Sequence, residues 1–177
     1  IIIDLGSNYG SSIIYFKDNF PDSIIYGFEP SEKTYILLKK NVQSLDNVKV
    51  EKLAVWNKKG KFKLHYGPKN LSGSYSLREW NEDLGGEYVQ TTTYLHIIES
   101  NKISEIDILK IDIESVELDV LFDIFTNCSD VPINNIFMEY HGEVVLNELK
   151  ETFSVIYEII HCNEVSKSQG SVLLTLK

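Results

Sequence analysis

The chain has 177 residues, a formal net charge of -9 and a pI near 4.9. That length is about one domain and suffices for a buried core, while the acidic balance argues against DNA or RNA, whose phosphates are held by clustered Lys and Arg. No run reaches the ~18 apolar residues of a membrane span and no signal-peptide pattern is visible, and the two cysteines, Cys128 and Cys162, fit no metal-ligand spacing and read as reduced thiols of a cytoplasmic protein.

The chain opens on Ile1-Ile2-Ile3-Asp4-Leu5, with neither a methionine nor a cap before it, so it reads as a single domain, residues 1–177, of a longer polypeptide. An apolar run of this kind is what a strand buried on both faces of a parallel sheet requires. Gly6-Ser7-Asn8-Tyr9-Gly10 follows, and two glycines let the backbone turn tightly and lie close to a ligand. A helix over Ser11 to Asn19 and a strand over Ile24 to Phe28 come next, and Glu29 stands at the strand end, 19 positions after Gly10. An acid about 20 positions on is where nucleotide-binding βαβ units meet a ribose diol. The glycine spacing is G-x-x-x-G rather than the G-x-G-x-x-G of dinucleotide sites. Asp4 at the strand end would repel a pyrophosphate and attract an ammonium or sulfonium group. S-adenosylmethionine carries both cations and a ribose, and is the cofactor these residues favour over NAD. Read more plainly, the glycines make only a strand-to-helix turn and Asp4 caps the helix, which leaves Glu29 unexplained.

Farther along, Ser31 reads as the N-cap of a helix to about Leu45, with Pro30 restricting Glu29. Val48 to Val55 reads as a strand and Phe62 to Tyr66 as a short extra one. Gly67 to Glu87, rich in glycine and aromatic residues, reads as a long functional loop, a mobile cover whose Tyr75, Arg78 and Trp80, with Tyr88 beside them, could stack on a sugar ring. Ile106 to Ile113 is another buried strand, followed by a helix through Val116, Leu118, Leu121, Phe122 and Phe125. Ile136 to Tyr140 is a strand, Val144 to about Glu151 a helix, and Ser154 to His161 with Ser171 to Leu176 an antiparallel pair. This alternation predicts an α/β, doubly wound, Rossmann-like sheet with its ligand beyond the carboxyl ends of the strands. Asp4, Glu29, Ala54, Asp112, Glu114, Glu139 and His141 stand at those ends. Lys110 shares a strand face with Asp112 and needs a partner if buried.

Asp4-Leu5-Gly6-Ser7-Asn8-Tyr9-Gly10, Phe28-Glu29-Pro30, Leu53-Ala54-Val55 and above all Leu109-Lys110-Ile111-Asp112-Ile113-Glu114-Ser115-Val116-Glu117 resemble the FkbM family of S-adenosylmethionine-dependent methyltransferases. The resemblance implies a class I methyltransferase fold, a mostly parallel seven-stranded sheet with an antiparallel C-terminal strand. It also implies methyl transfer to a hydroxyl of a sugar, surface glycan or small natural product. Ser7 stands where the family usually has alanine, and Ser115 where it usually has glycine.

The candidate cofactor residues are Asp4, Gly6, Asn8, Gly10, Glu29, Ala54 and Asp112. A sulfonium is an activated donor, so the protein must align the acceptor oxygen, exclude water and remove a proton. His141 is the candidate base, since imidazole titrates near neutral pH, with Asp112 and Glu139 orienting it. His65, His96 and His161 have less reason to face the cofactor. Asp112, Glu139 and His141 could also hold magnesium or manganese, a reading ranked below base catalysis. The partner implied is a small-molecule or saccharide acceptor, not nucleic acid. The competing functions are a non-catalytic S-adenosylmethionine- or nucleoside-binding module and an NAD-dependent oxidoreductase.

Overall fold

A computed structural model describes residues 1–67, 75–79, 84–166 and 169–177. Eleven strands and five helices alternate in it: β1 (Ile2–Leu5), α1 (Ser11–Asn19), β2 (Ile25–Phe28), α2 (Glu32–Val42), β3 (Val48–Glu51), β4 (Ala54–Val55), β5 (Gly60–Tyr66), β6 (Tyr75–Ser76), β7 (Gly86–Thr92), α3 (Tyr94–Asn101), β8 (Ile106–Ile111), α4 (Glu117–Asn127), β9 (Ile133–His141), α5 (Glu143–Phe153), β10 (Tyr157–Ser166) and β11 (Gln169–Leu176). Seven strands form the main sheet in the order β10-β11-β9-β8-β1-β2-β3. β1 pairs in parallel with β2 and β8, β2 with β3, and β8 with β9. β11 runs antiparallel to both β9 and β10. The doubly wound, mostly parallel sheet with an antiparallel C-terminal strand is as the sequence predicts.

Period-two alternation sorts the strand residues onto two faces. Ile3, Leu5, Leu109, Ile111, Ile136 and Met138 pack under α3, α4 and α5 in the larger core, through residues such as Ile97, Leu121 and Leu149. Ile2 and Ile25 pack on the other face against Ile13, Phe16, Leu38 and Val42 of α1 and α2. Both faces of β1 are therefore covered, which is why its run is almost wholly apolar.

Between β3 and α3 the fold departs from the reading. The expected single strand from Val48 to Val55 breaks after Glu51, and Ala54–Val55 leaves the main sheet to pair in parallel with Thr91 and Thr92. Ala54 and Val55 are buried, with Leu53 partly so, where they begin a second sheet, order β4-β7-β5-β6. Two of that sheet's strands reach into the expected loop. Tyr75–Ser76 pairs with His65–Tyr66, and Gly86–Glu87 opens β7, which runs antiparallel to β5. Residues 68–74 and 80–83 of that loop, Trp80 included, and the side chains of His161 and Cys162 lie outside the described residues. Among the described residues no helix is long and apolar enough to cross a membrane.

Candidate functional site

The connections from β1 and β8 run to opposite sides of the main sheet, and a doubly wound sheet binds its ligand in the crevice such a reversal opens. A cleft of about 850 Å3, open mouth included, lies there. Gly6 and Asn8 line it from beyond β1, and Phe28, Glu29 and Pro30 from β2 and its end. Leu53, Ala54, Val55, Leu64, Tyr75 and Leu77 form an apolar wall from the second sheet and the segment leading into it, while Asp112, Ile113, Glu114, Val116 and Glu139 close the opposite side.

Glu29 is 5% exposed, with its carboxylate fixed by the backbone on both sides. Oε2 accepts the Asn8 N–H at 3.0 Å and Oε1 the Ser31 N–H at 2.9 Å. Asn8 reaches this position with φ at 48°, a left-handed conformation that Asn tolerates well. Ser31 does stand at the N-cap position of α2, but its side chain makes no capping bond there. Burial lifts the pKa of Glu29 to about 7 against the lowering pull of the two N–H groups.

Asp4 is fully buried and does not line the cleft. Oδ1 pairs with Lys110 Nζ at 3.1 Å and Oδ2 accepts from Ser12 Oγ at 2.6 Å. The parallel register places Asp4 directly beside Lys110, and both side chains point to the α1 face. Lys110 Nζ also donates to the Gly6 carbonyl at 3.1 Å and lies 3.4 Å from Asp112 Oδ2. Burial works against the charge of Lys110, and the two carboxylates more than offset it, raising its pKa. The sulfonium-attracting role expected of Asp4 gives way to neutralisation by Lys110. Gly10 likewise stays outside the cleft, at the N-cap of α1 with φ at 90°.

At the acidic end, His141 meets Glu117 and Glu114 in addition to the expected Glu139. Its Nδ1 lies 2.7 Å from Glu117 Oε1, and its Nε2 lies 3.4 Å from Glu114 Oε2 and 3.8 Å from Glu139 Oε1. Asp112 is instead held by Lys110. Burial by itself would lower the pKa of His141, but the hydrogen bond and charge of Glu117, reinforced by Glu114 and Glu139, lift it to about 9. His141 is therefore an imidazolium at neutral pH, which changes its candidacy as a resting base. Burial raises the pKa of Glu114, opposed by the charge of His141. Among the described residues no group of three or more His, Cys, Asp or Glu side chains is arranged to hold a metal ion.

Of the expected site residues, Gly6, Asn8, Glu29, Ala54, Asp112 and Glu139 meet at the cleft. His65 is buried in the second sheet and His96 sits on the surface of α3 beside Ser100. Glu117, present in the sequence only as part of the family motif, is the partner of His141 that sequence reasoning missed, as it missed Leu64 and Leu77 of the cleft wall. One signal was available: Ser115, where a glycine is usual, has φ at 76°, and Glu114 before it has φ at 54°. Left-handed backbone costs a side chain roughly 1–2 kcal/mol, part of which glycine gives back through its freer unfolded chain. Ser115→Gly is therefore expected to stabilise the protein by about 1 kcal/mol, read from urea unfolding; a loss would show that the Ser115 side chain itself holds the turn.

Fold and site together define a class I methyltransferase-like α/β domain with a nucleoside-sized cleft. The chain belongs to the methyltransferase FkbM domain family, which it matches over residues 4–165. It is 26% identical over 184 residues to methyltransferase sdnD of Sordaria araneosa, covering 86% of this chain and 66% of that protein. It is 24% identical over 141 residues to 2-O-methyltransferase NoeI of Sinorhizobium fredii, covering 68% of this chain and 56% of that protein. The chain thus spans less than two thirds of the length of either relative. Its fold is that of SMU.1697c from Streptococcus mutans, solved in complex with SAH (TM-score 0.56, 11% identity, 99% of this chain and 88% of that one). It is also that of Aeropyrum pernix fibrillarin, solved with natively bound S-adenosyl-L-methionine (TM-score 0.56, 12% identity, 98% of this chain and 65% of that one).

Proposed function

We propose that this domain is an S-adenosylmethionine-dependent O-methyltransferase acting on a hydroxyl of a sugar, a surface glycan or a small natural product. The observation that carries the reading is Glu29. Its two oxygens are each fixed by one backbone N–H, each keeps a second lone pair, and the side chain lines a cleft at the reversal point of the sheet. A ribose diol offers two adjacent hydroxyl donors to such a carboxylate. The apolar wall around Ala54 and Leu64 suits a nucleobase, and Gly6, Asn8 and Asp112 suit the amino-acid part of the cofactor. S-adenosylmethionine supplies the activated methyl group. The protein's part is to hold the acceptor hydroxyl in line with that methyl at the end lined by Glu114 and Glu139, and to keep water out. Membership of the FkbM family supports methyl transfer, and the likeness to the 2-O-methyltransferase NoeI supports oxygen as the acceptor. A cytoplasmic setting fits the buried free thiol of Cys128.

Calorimetry tests the cofactor directly: the protein should bind S-adenosylmethionine and S-adenosylhomocysteine and ignore NAD. Tight NAD binding with no response to either S-adenosyl compound would end the reading. Glu29→Ala should weaken S-adenosylhomocysteine binding by about 1.5–3 kcal/mol, the range for a hydrogen bond to a charged group. Because the carboxylate form accepts the ribose bonds and Glu29 titrates at about 7, affinity should fall as pH drops below neutrality. Formation of S-adenosylhomocysteine with a panel of neutral glycosides then tests catalysis and acceptor class together.

A further inference from the structure

We propose that Glu114 takes the acceptor's hydroxyl proton and that Glu117 and His141 are a positioning pair behind it, an assignment that rests on the methyl transfer proposed above. Three groups stand in line from core to cleft. Glu117 is 1% exposed, and Oε1 faces His141 Nδ1 at 2.7 Å. The opposite nitrogen of the ring faces Glu114 Oε2 at 3.4 Å, and Glu114 lines the cleft. An imidazolium held between two carboxylates carries a proton on each nitrogen and has no lone pair left to accept another. Glu114 is the member of the line with lone pairs on the cleft side.

The backbone around Glu114 is fixed from two directions. Glu117 Oε1 also accepts the Ser115 N–H at 3.0 Å, so one buried carboxylate sets both the imidazolium and the left-handed turn that carries Glu114. From the second sheet, Ser76 Oγ donates to the Glu114 carbonyl at 2.6 Å. The charged groups around the pair are Asp112, held by Lys110, and Glu139, whose Oε1 accepts from Gln169 Nε2 at 3.0 Å. His141 is thus the cation that keeps Glu114 ionised among like charges, and burial keeps Glu114 more basic than an ordinary carboxylate.

In the step, the hydroxyl oxygen forms a bond to the methyl carbon as the carbon–sulfur bond breaks. The bonding pair stays on sulfur, and the hydroxyl proton passes to Glu114 and leaves to solvent with the product. The oxygen becomes strongly acidic as the new bond forms, so a carboxylate suffices to take its proton.

The test is turnover against pH with S-adenosylmethionine and the methyl glycosides of glucose, galactose, mannose and rhamnose, with calorimetry of S-adenosylhomocysteine on every variant. Glu114→Gln should lower kcat by about 10²-fold or more while binding S-adenosylhomocysteine as the unaltered protein does. The unaltered enzyme should gain rate as Glu114 loses its proton on the acid side and lose rate above about 9, where His141 loses its charge. His141→Gln should keep measurable turnover and lose that alkaline fall. Glu117→Gln should move the fall, and the His141 ring titration read by NMR, to lower pH. The assignment is overturned if rate instead climbs through pH 9 and vanishes in His141→Gln while Glu114→Gln stays active; His141 would then be the base. S-adenosylhomocysteine binding with no methylated glycoside at any pH would remove both this assignment and the sugar acceptor, whereas absence of binding would remove the cofactor reading itself.

Discussion

Lys110→Met is expected to lower the unfolding free energy by about 3–5 kcal/mol, the loss when one partner of a buried ion pair is removed and the other is stranded. Asp4 is 0% exposed, and its Oδ1 has Lys110 Nζ at 3.1 Å as its counter-charge. The same ammonium joins the Gly6 carbonyl to Asp112, so it also fixes the floor of the cleft. Urea unfolding measures the loss, and S-adenosylhomocysteine affinity should fall with it. Adding Asp4→Asn should restore part of the stability, because a neutral amide can still receive the Ser12 hydroxyl. As a contrast, the half-exposed pair of Lys49 and Glu51 should contribute less than about 1 kcal/mol. A loss below about 1 kcal/mol in Lys110→Met would mean that water or another cation reaches Asp4, and the pair would then be no keystone of the site.

The identity of that partner marks how far sequence reaches. The need for one was legible in the sequence, because a lysine stood in an apolar run. Asp112 was the visible candidate, two positions along the same strand. Asp4 wins because β1 and β8 pair in parallel with Asp4 beside Lys110, and the register between strands over a hundred residues apart leaves no local trace. The main sheet was readable for the opposite reason: each of its helices and strands shows its own period over several residues. The second sheet was not, since β4 and β6 have two residues each and β4 begins only three positions after β3 ends.

The Glu29 side of the cleft was legible through Gly6, Asn8 and Glu29, which line it together and whose spacing lies within one βαβ unit. The Glu114 side was not. His141 finds Glu117, 24 residues away, and nothing in the sequence near His141 distinguishes Glu117 from Glu139, its near neighbour. Only the three-dimensional pairing turns a histidine with an ordinary titration into one held near 9. Ser115 is the intermediate case, where an unusual residue pointed to a backbone conformation that the structure then displays.

Gly6→Ala is expected to be the most damaging glycine substitution among the described residues, and a series of three separates its causes. Gly85 has φ at 94° and open space, with the nearest atom 3.9 Å from an added Cβ, so Gly85→Ala should cost only the left-handed strain of roughly 1–2 kcal/mol. Gly10 has φ at 90°, and its Cβ would meet the tips of Leu38 and Val42 at 2.9 and 3.0 Å, contacts that side chains can partly relieve. At Gly6 the φ is 80° and the added Cβ would sit 1.8 Å from the Asp112 carbonyl oxygen. That carbonyl belongs to the backbone just past β8, and its own N–H is tied to Leu5. Gly6 is equally fixed, its N–H bonded to Phe28 and its carbonyl to Lys110. Relief requires the ends of β1 and β8 to part, so the overpacking cost of about 1–3 kcal/mol adds to the strain for a total of roughly 2–5 kcal/mol. The same movement widens the floor of the cleft and should abolish measurable S-adenosylhomocysteine binding. Thermal unfolding of the three variants should give the order Gly85, Gly10, Gly6 in increasing loss. Equal losses at Gly6 and Gly85 would show that the strand ends yield freely, and the close approach of β1 to β8 would then not be what the glycine is there to permit.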